Sequence, residues 1–128
     1  AKQFDRESAM KSLSEGELVI FACGTGSPYF TTDTTAALRA LETGCQAVMK
    51  ATKVNGIYSA DPMKDPKAVK FDKLTFGEAI AKRFEVMDSA AFSLCADNNL
   101  HIIVFNFNEK GALVKALRGD YSVGTIVS

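Results

Sequence analysis

Three short apolar runs that lack polar alternation constrain this chain most. They are Leu18-Val19-Ile20-Phe21-Ala22, the core of Gln46 to Lys50, and His101 to Phe105, apolar from Ile102 onward. A strand with one wet face alternates, so continuous runs of this length point to strands covered on both sides. Between and beyond them the spacing is helical. Phe4 to Glu15 reads as a short amphipathic helix with Asp5 as N-cap, Met10 and Leu13 on one face and Gly16 as stop. A second helix runs from about Asp33 to Thr43, with Ala37, Leu38 and Leu41 inward, and ends at Gly44. Phe76, Ala79, Ile80 and Phe84 mark a third within Thr75 to Phe84. Met87, Ala91, Leu94 and Cys95 mark a fourth over about Asp88 to Ala96. Glu109 to Leu117 is a fifth helix, and Gly124 to Val127 a short last strand. Strands alternating with helices predict an α/β fold, a mainly parallel sheet between two helical layers. Residues 1–128 contain no repeat, low-complexity tract or domain boundary, so a single domain is expected.

Composition narrows the function classes. Of 128 residues, 47% are hydrophobic, enough for a real core. Lys plus Arg and Asp plus Glu each number 15, giving zero formal charge. Without a basic block, a partner held by the nucleic-acid backbone is not expected. Cys23, Cys45 and Cys95 are irregularly spaced and His101 is the single histidine, so no metal site of ordinary ligand count is expected. The three thiols are expected to be reduced and packed as small apolar residues, in a cytoplasmic protein. The longest apolar run, Leu18 to Cys23, is far short of the ~20 residues of a membrane helix. Lys2, Asp5, Arg6 and Glu7 interrupt any apolar core at the start of the sequence, so a secretion signal is not expected there.

The segment Gly24-Thr25-Gly26-Ser27-Pro28-Tyr29-Phe30-Thr31-Thr32-Asp33 joins an expected strand to an expected helix. It should therefore lie at the carboxyl edge of the sheet, where open α/β proteins bind ligands. The glycines permit close backbone approach. The hydroxyls of Thr25, Thr31 and Thr32 and the first helical amides would suit an anion. The segment is neither a Walker A loop nor a Rossmann fingerprint. The residues themselves leave two readings open: an anion site, or a turn followed by an N-cap at Thr31, Thr32 or Asp33, worth ~1 kcal/mol. Tyr29 and Phe30 suggest either a wall for a flat base or a hydrophobic plug.

From Ala51 to Asp72 periodicity is lost, and a structureless stretch of that length is more often functional than idle. Within it and just before, Lys50 and Lys53 would neutralise phosphates, Tyr58 would stack on a base, and Asp61 would accept from a ribose or base. Taken singly, these are a solvated lysine pair and an Asp-Pro turn; the signal lies in their grouping. Asp88 begins a helix, and an N-cap is the default reading for it.

The motifs together resemble bacterial UMP kinases. Phe21 to Asp33, reading FACGTGSPYFTTD, resembles that family's FAGGTGNPFFTTD signature. Lys50 to Pro62 is similar to its KATKVDGVYxxDP stretch and Val86 to Phe92 to its VMDxxAF stretch. Val104-Phe105-Asn106 with Gly111-Ala112-Leu113 matches its terminal VFNxxxxGAL. The resemblance implies the three-layer αβα sandwich of the amino acid kinases and transfer of the ATP γ-phosphoryl group to UMP, with Mg2+. It implies that Thr25, Gly26, Ser27, Pro28, Tyr29, Phe30, Thr31 and Thr32 line the UMP site, and that Thr52, Tyr58 and Asp61 contact ATP. Asp33 would sit near the transfer centre, supported by Asp88. The resemblance also implies a homo-oligomer, a hexamer with GTP and UTP as effectors. Cys23 and Ser27 depart from the signature; Cys23 is expected to pack, and Ser27 to reshape one contact to UMP. The family's amino-terminal half, with its Lys and Gly-rich phosphate loop, has no counterpart here, so a carboxyl-terminal half inactive alone is expected. Carbamate or acetylglutamate kinases, and a non-catalytic nucleotide-binding module, are the alternatives.

Overall fold

The computed structural model describes residues 2–128. In chain order its elements are α1 (Arg6–Ser14), α2 (Thr32–Glu42), β1 (Ala47–Thr52), β2 (Ile57–Tyr58), β3 (Lys70–Phe71), β4 (Lys73–Leu74), α3 (Phe76–Ala81), α4 (Ser89–Asp97), β5 (His101–Asn106), α5 (Ala112–Leu117) and β6 (Gly124–Val127). A four-stranded sheet runs β1-β5-β6-β4. β1 and β5 pair in parallel from Ala47 opposite His101 to Thr52 opposite Asn106, and β4 pairs in parallel with β6. β6 returns antiparallel along β5.

The layering explains the absent alternation. On β5, Ile102 and Val104 pack with Ala37 and Ala40 of α2, Ala79 of α3, and Phe92 and Cys95 of α4. Ile103 and Phe105 point the other way, onto Ala112 and Ala116 of α5 and onto Val123. Each fully buried aliphatic or aromatic side chain contributes about 1.5–3 kcal/mol, so a strand must be apolar at every position to serve two layers. The expected α/β sandwich with a mainly parallel sheet is what the chain forms.

The helices begin where the residue chemistry places them. Asp5, Thr31, Thr75 and Asp88 cap α1, α2, α3 and α4 with their side-chain oxygens, and Thr75 with Glu78 closes a capping box. Each of the five helices ends in a Schellman motif, in which two successive amides fold back on the last turn.

Two expectations are corrected. Leu18 to Ala22 is not a buried strand: its backbone is paired with no strand among the described residues, and Leu18 and Ile20 are 88% and 81% exposed. Apolar composition records a need for burial, but a strand also needs a hydrogen-bonding neighbour, and among the described residues this segment has none. A cavity of about 450 Å³ lies between Phe21 and Cys23 on one side and Val48 and Met49 on the other. Residues 51–72 are not structureless. β2 and β3 form a small antiparallel hairpin, Ile57 opposite Phe71 and Tyr58 opposite Lys70, with strands too short to leave a periodic signal.

One buried hydroxyl hangs this hairpin from the sheet. Thr125 of β6 is fully buried, accepts from the Ile57 amide at 2.8 Å and donates to the Phe71 carbonyl. Gly56 makes the approach possible at a φ of +139°, where a Cβ would collide with the Thr125 hydroxyl and stand 3.2 Å from its amide nitrogen.

Candidate functional site

The site gathers where β1 and α2 meet. Asp33, in the first turn of α2, forms an ion pair with Lys50 of β1 at 2.6 Å, their side chains 25% and 27% exposed. Lys50 shares its face of the strand with Val48, which packs in the core under α2, and this parity aims the ammonium at the helix.

Asp88 is the second organising carboxylate. It caps α4 through the Ala91 amide at 3.0 Å, and it also receives the Thr31 hydroxyl and, at 3.3 Å, the Thr34 hydroxyl. One carboxylate thus binds the starts of two helices. Burial pushes its pKa up, but the bonds from Thr31, Ala91, Thr34 and Ala90 outweigh this and hold it below the ordinary aspartate value. The default capping reading of Asp88 holds, and the tie to α2 is added to it.

Asp33, Lys50 and Asp88 line one cavity, about 770 Å³ in volume. Thr52, Tyr58 and Asp61 line a second, about 570 Å³, at the carboxyl end of β1, and Lys50 lies on the wall of both. The structure therefore brings together Thr52 at the end of β1, Tyr58 of β2 and Asp61 of the turn that follows. Asp61 accepts from the Met63 amide at 2.9 Å as a turn former, and the Thr52 hydroxyl donates to the Val54 carbonyl at 2.9 Å. Lys53 is exposed and stands outside the walls of this second cavity.

The loop before α2 is held in an unusual backbone. Cys23, Gly24, Gly26 and Tyr29 all have positive φ, and the Ser27 amide closes on the Thr25 hydroxyl at 3.0 Å. Thr31 is the N-cap, accepting from the Asp33 and Thr34 amides, and Thr32 is the first helical residue. Gly26, Ser27, Pro28, Tyr29 and Phe30 are exposed, Tyr29 completely. Neither aromatic acts here as a plug. Cys23, on this loop, is exposed rather than packed, as is Cys45 after α2; only Cys95 fits the expectation of a buried thiol. Among the described residues no group of three His, Cys, Asp or Glu side chains is placed to hold a metal ion, and no helix is long and apolar enough to cross a membrane.

Sequence reasoning missed Thr34, one helical turn beyond its cap, and the stretch Lys82-Arg83 with Glu85, of which Arg83 and Glu85 line both cavities. No local motif marks that segment, because its importance comes from where α3 ends.

A mainly parallel α/β sheet with two adjoining cavities on one of its layers defines a class, and comparison with known proteins names it. The profile of the amino acid kinase family matches residues 1–106, and the chain belongs to that family. Within it, the chain is similar to the crystal structure of a UMP kinase from Bacillus anthracis (35% identity, TM-score 0.95, covering 100% of this chain and 52% of that one). It is also similar to a UMP kinase from Ureaplasma parvum (36% identity, TM-score 0.92, covering 98% and 54%). A uridylate kinase from Archaeoglobus fulgidus matches at 32% identity and TM-score 0.75, covering 97% and 58%. The chain spans about half the length of each of these structures.

Proposed function

We propose that this chain is the carboxyl-terminal, nucleotide-binding half of an enzyme that phosphorylates UMP from ATP, giving UDP and ADP in pyrimidine nucleotide biosynthesis. The observation that carries the reading is the pair of cavities with Lys50 on their common wall, the first also lined by Asp33 and Asp88, the second by Thr52, Tyr58 and Asp61. The motif order and the likeness to UMP kinases support the same acceptor over an acylamino acid or carbamate.

In this reading ATP occupies the cavity of Thr52, Tyr58 and Asp61, and UMP approaches along the Thr25–Thr32 loop. An oxygen of the UMP phosphate attacks the γ-phosphorus, and the bond from that phosphorus to the β–γ bridging oxygen breaks, releasing ADP. The attacking oxygen is already ionised, so no general base is needed. Lys50 offsets the charge that spreads over the equatorial oxygens, and Asp33 holds the lysine in place. Magnesium would arrive with ATP and supply further charge neutralisation. It is usually held by one or two carboxylates plus phosphate oxygens, which Asp33 and Asp88 fit without an all-protein cage. Cytoplasmic location, a homo-oligomer such as a hexamer, and GTP and UTP as effectors belong to this proposal through the family resemblance.

Because the chain spans half of its relatives, the phosphates meet half a clamp. A coupled UDP-formation assay on the 128-residue chain, beside calorimetric titration with ATP and UMP, tests the reading. The expected result is nucleotide binding without turnover. Turnover near that of a full-length UMP kinase would overturn the half-clamp, and phosphorylation of acetylglutamate would overturn the acceptor. A folded sample with no nucleotide affinity would overturn the whole reading.

A further inference from the structure

The five helix ends carry an internal comparison. In a Schellman motif the residue just past the cap adopts left-handed backbone, which glycine or asparagine occupies at least cost. Here those residues are Gly16, Gly44, Asn99, Gly119 and, after α3, Arg83 at a φ of +53°. The hydrogen bonds at Arg83 are those of the others: its amide bonds the Ile80 carbonyl at 3.0 Å and the Phe84 amide bonds the Ala79 carbonyl at 3.0 Å. Four helices therefore end on the residue the conformation prefers, and one ends on a long cation that the conformation penalises. Backbone strain of this kind is kept where the surroundings or the function demand the side chain.

Position supplies the demand. Arg83 and Lys50 are the only cations on the walls of both cavities. Lys50 is engaged by Asp33. Lys82, on the wall of the second cavity, lies 4.9 Å over the Phe71 ring. Among the described residues Arg83 has no carboxylate within 4.0 Å, although Glu85 lines the same walls. The second cavity has three cations, Lys50, Lys82 and Arg83, against two carboxylates, Asp61 and Glu85. The first has two cations against three carboxylates, Asp33, Glu85 and Asp88. A polyanion is thus favoured in the second cavity, with its charged end at the common wall.

We propose that Arg83 is a phosphate-binding residue, held in left-handed backbone at the end of α3 so that its guanidinium serves the phosphate chain where the two cavities meet. Guanidinium suits this task because its fork donates two parallel hydrogen bonds to one phosphate. The proposal rests on the nucleotide reading above but does not depend on the base.

The test is Arg83→Gly, with Arg83→Lys beside it, in the purified protein. Two probes are titrated by calorimetry, MgATP and inorganic tripolyphosphate, and thermal unfolding is followed without ligand. Relief of the backbone should raise the Tm of R83G by about 2–5 °C. Loss of a charged hydrogen-bond donor should weaken both probes roughly 10- to 100-fold. R83K, which keeps the charge and the strain, should match the wild-type Tm and retain part of the affinity. R83G that binds both probes as tightly as wild type overturns the proposal and leaves the nucleotide reading standing. R83G with a lowered Tm as well as weaker binding overturns it too, because Arg83 would then be structural. Arg83-dependent binding of tripolyphosphate with no preference for ATP supports Arg83 and sinks the nucleotide reading. Wild-type protein that binds neither probe overturns both.

Discussion

At the scale of single residues, Asp88 does most to hold the candidate site together. It caps α4, fixes Thr31 and Thr34, and so sets where α2 begins and where Asp33 stands. Asp88→Ala removes a cap and strands two hydroxyls, an expected loss of roughly 2–3 kcal/mol in chemical denaturation. The folded pKa lies below the unfolded one, so this contribution is complete above the unfolded value and is lost as pH falls through the folded value. A Tm profile against pH should fall on its acid side, and the fall should be shallower in Asp88→Asn. Asp5, Glu78 and Asp120 will add to the remaining slope, since bonds from Ser8, Thr75 and Ser122 hold their carboxyls low as well. The thiols divide in the same way by environment. Burial pushes Cys95 up to about 11, whereas Cys23 and Cys45 are exposed. Iodoacetamide at mildly alkaline pH should add two groups to the native protein and three in denaturant, counted by mass spectrometry.

Among the elements, the helices were the most legible from sequence and the hairpin the least. Caps and stops are single-residue chemistry, so Asp5 and Asp88 read as caps and Gly16 and Gly44 as stops, whereas the cap of α2 stayed open among Thr31, Thr32 and Asp33 until the structure placed it at Thr31. β5 was legible because four consecutive apolar residues can serve only two buried faces. The same logic misled at Leu18 to Ala22, because composition states what a segment would bury and says nothing of which strand lies next to it. The grouping of Thr52, Tyr58 and Asp61 could be read from their motif, but their common cavity depends on a two-residue strand pair that leaves no period. Two element-scale outcomes follow from these placements. Gly56→Ala should cost about 2–4 kcal/mol by thermal unfolding, since the added carbon meets the Thr125 hydroxyl and the backbone there is left to glycine. Replacing Leu18 and Ile20 with Ser in the 128-residue chain should change stability by less than about 0.5 kcal/mol each, because neither is buried.

Over the whole molecule, two parallel strands, β1 and β5, form the frame, and the two cavities sit on one layer of it, between α2, α3 and the hairpin. The wall that carries Tyr58 belongs to the hairpin, which is secured by Thr125 and by Lys70, whose ammonium bonds the Gly124 carbonyl at 2.9 Å. Both fasteners lead to β6, far in sequence from Lys50 and Asp61. The hairpin and the carboxyl terminus therefore share one latch. Hydrogen exchange should record it as a single opening event, with the amide of Ile57 released in step with those of β6 rather than with its neighbours in β1. A chain clipped before Gly124 would lose the hinge pin of that cavity wall.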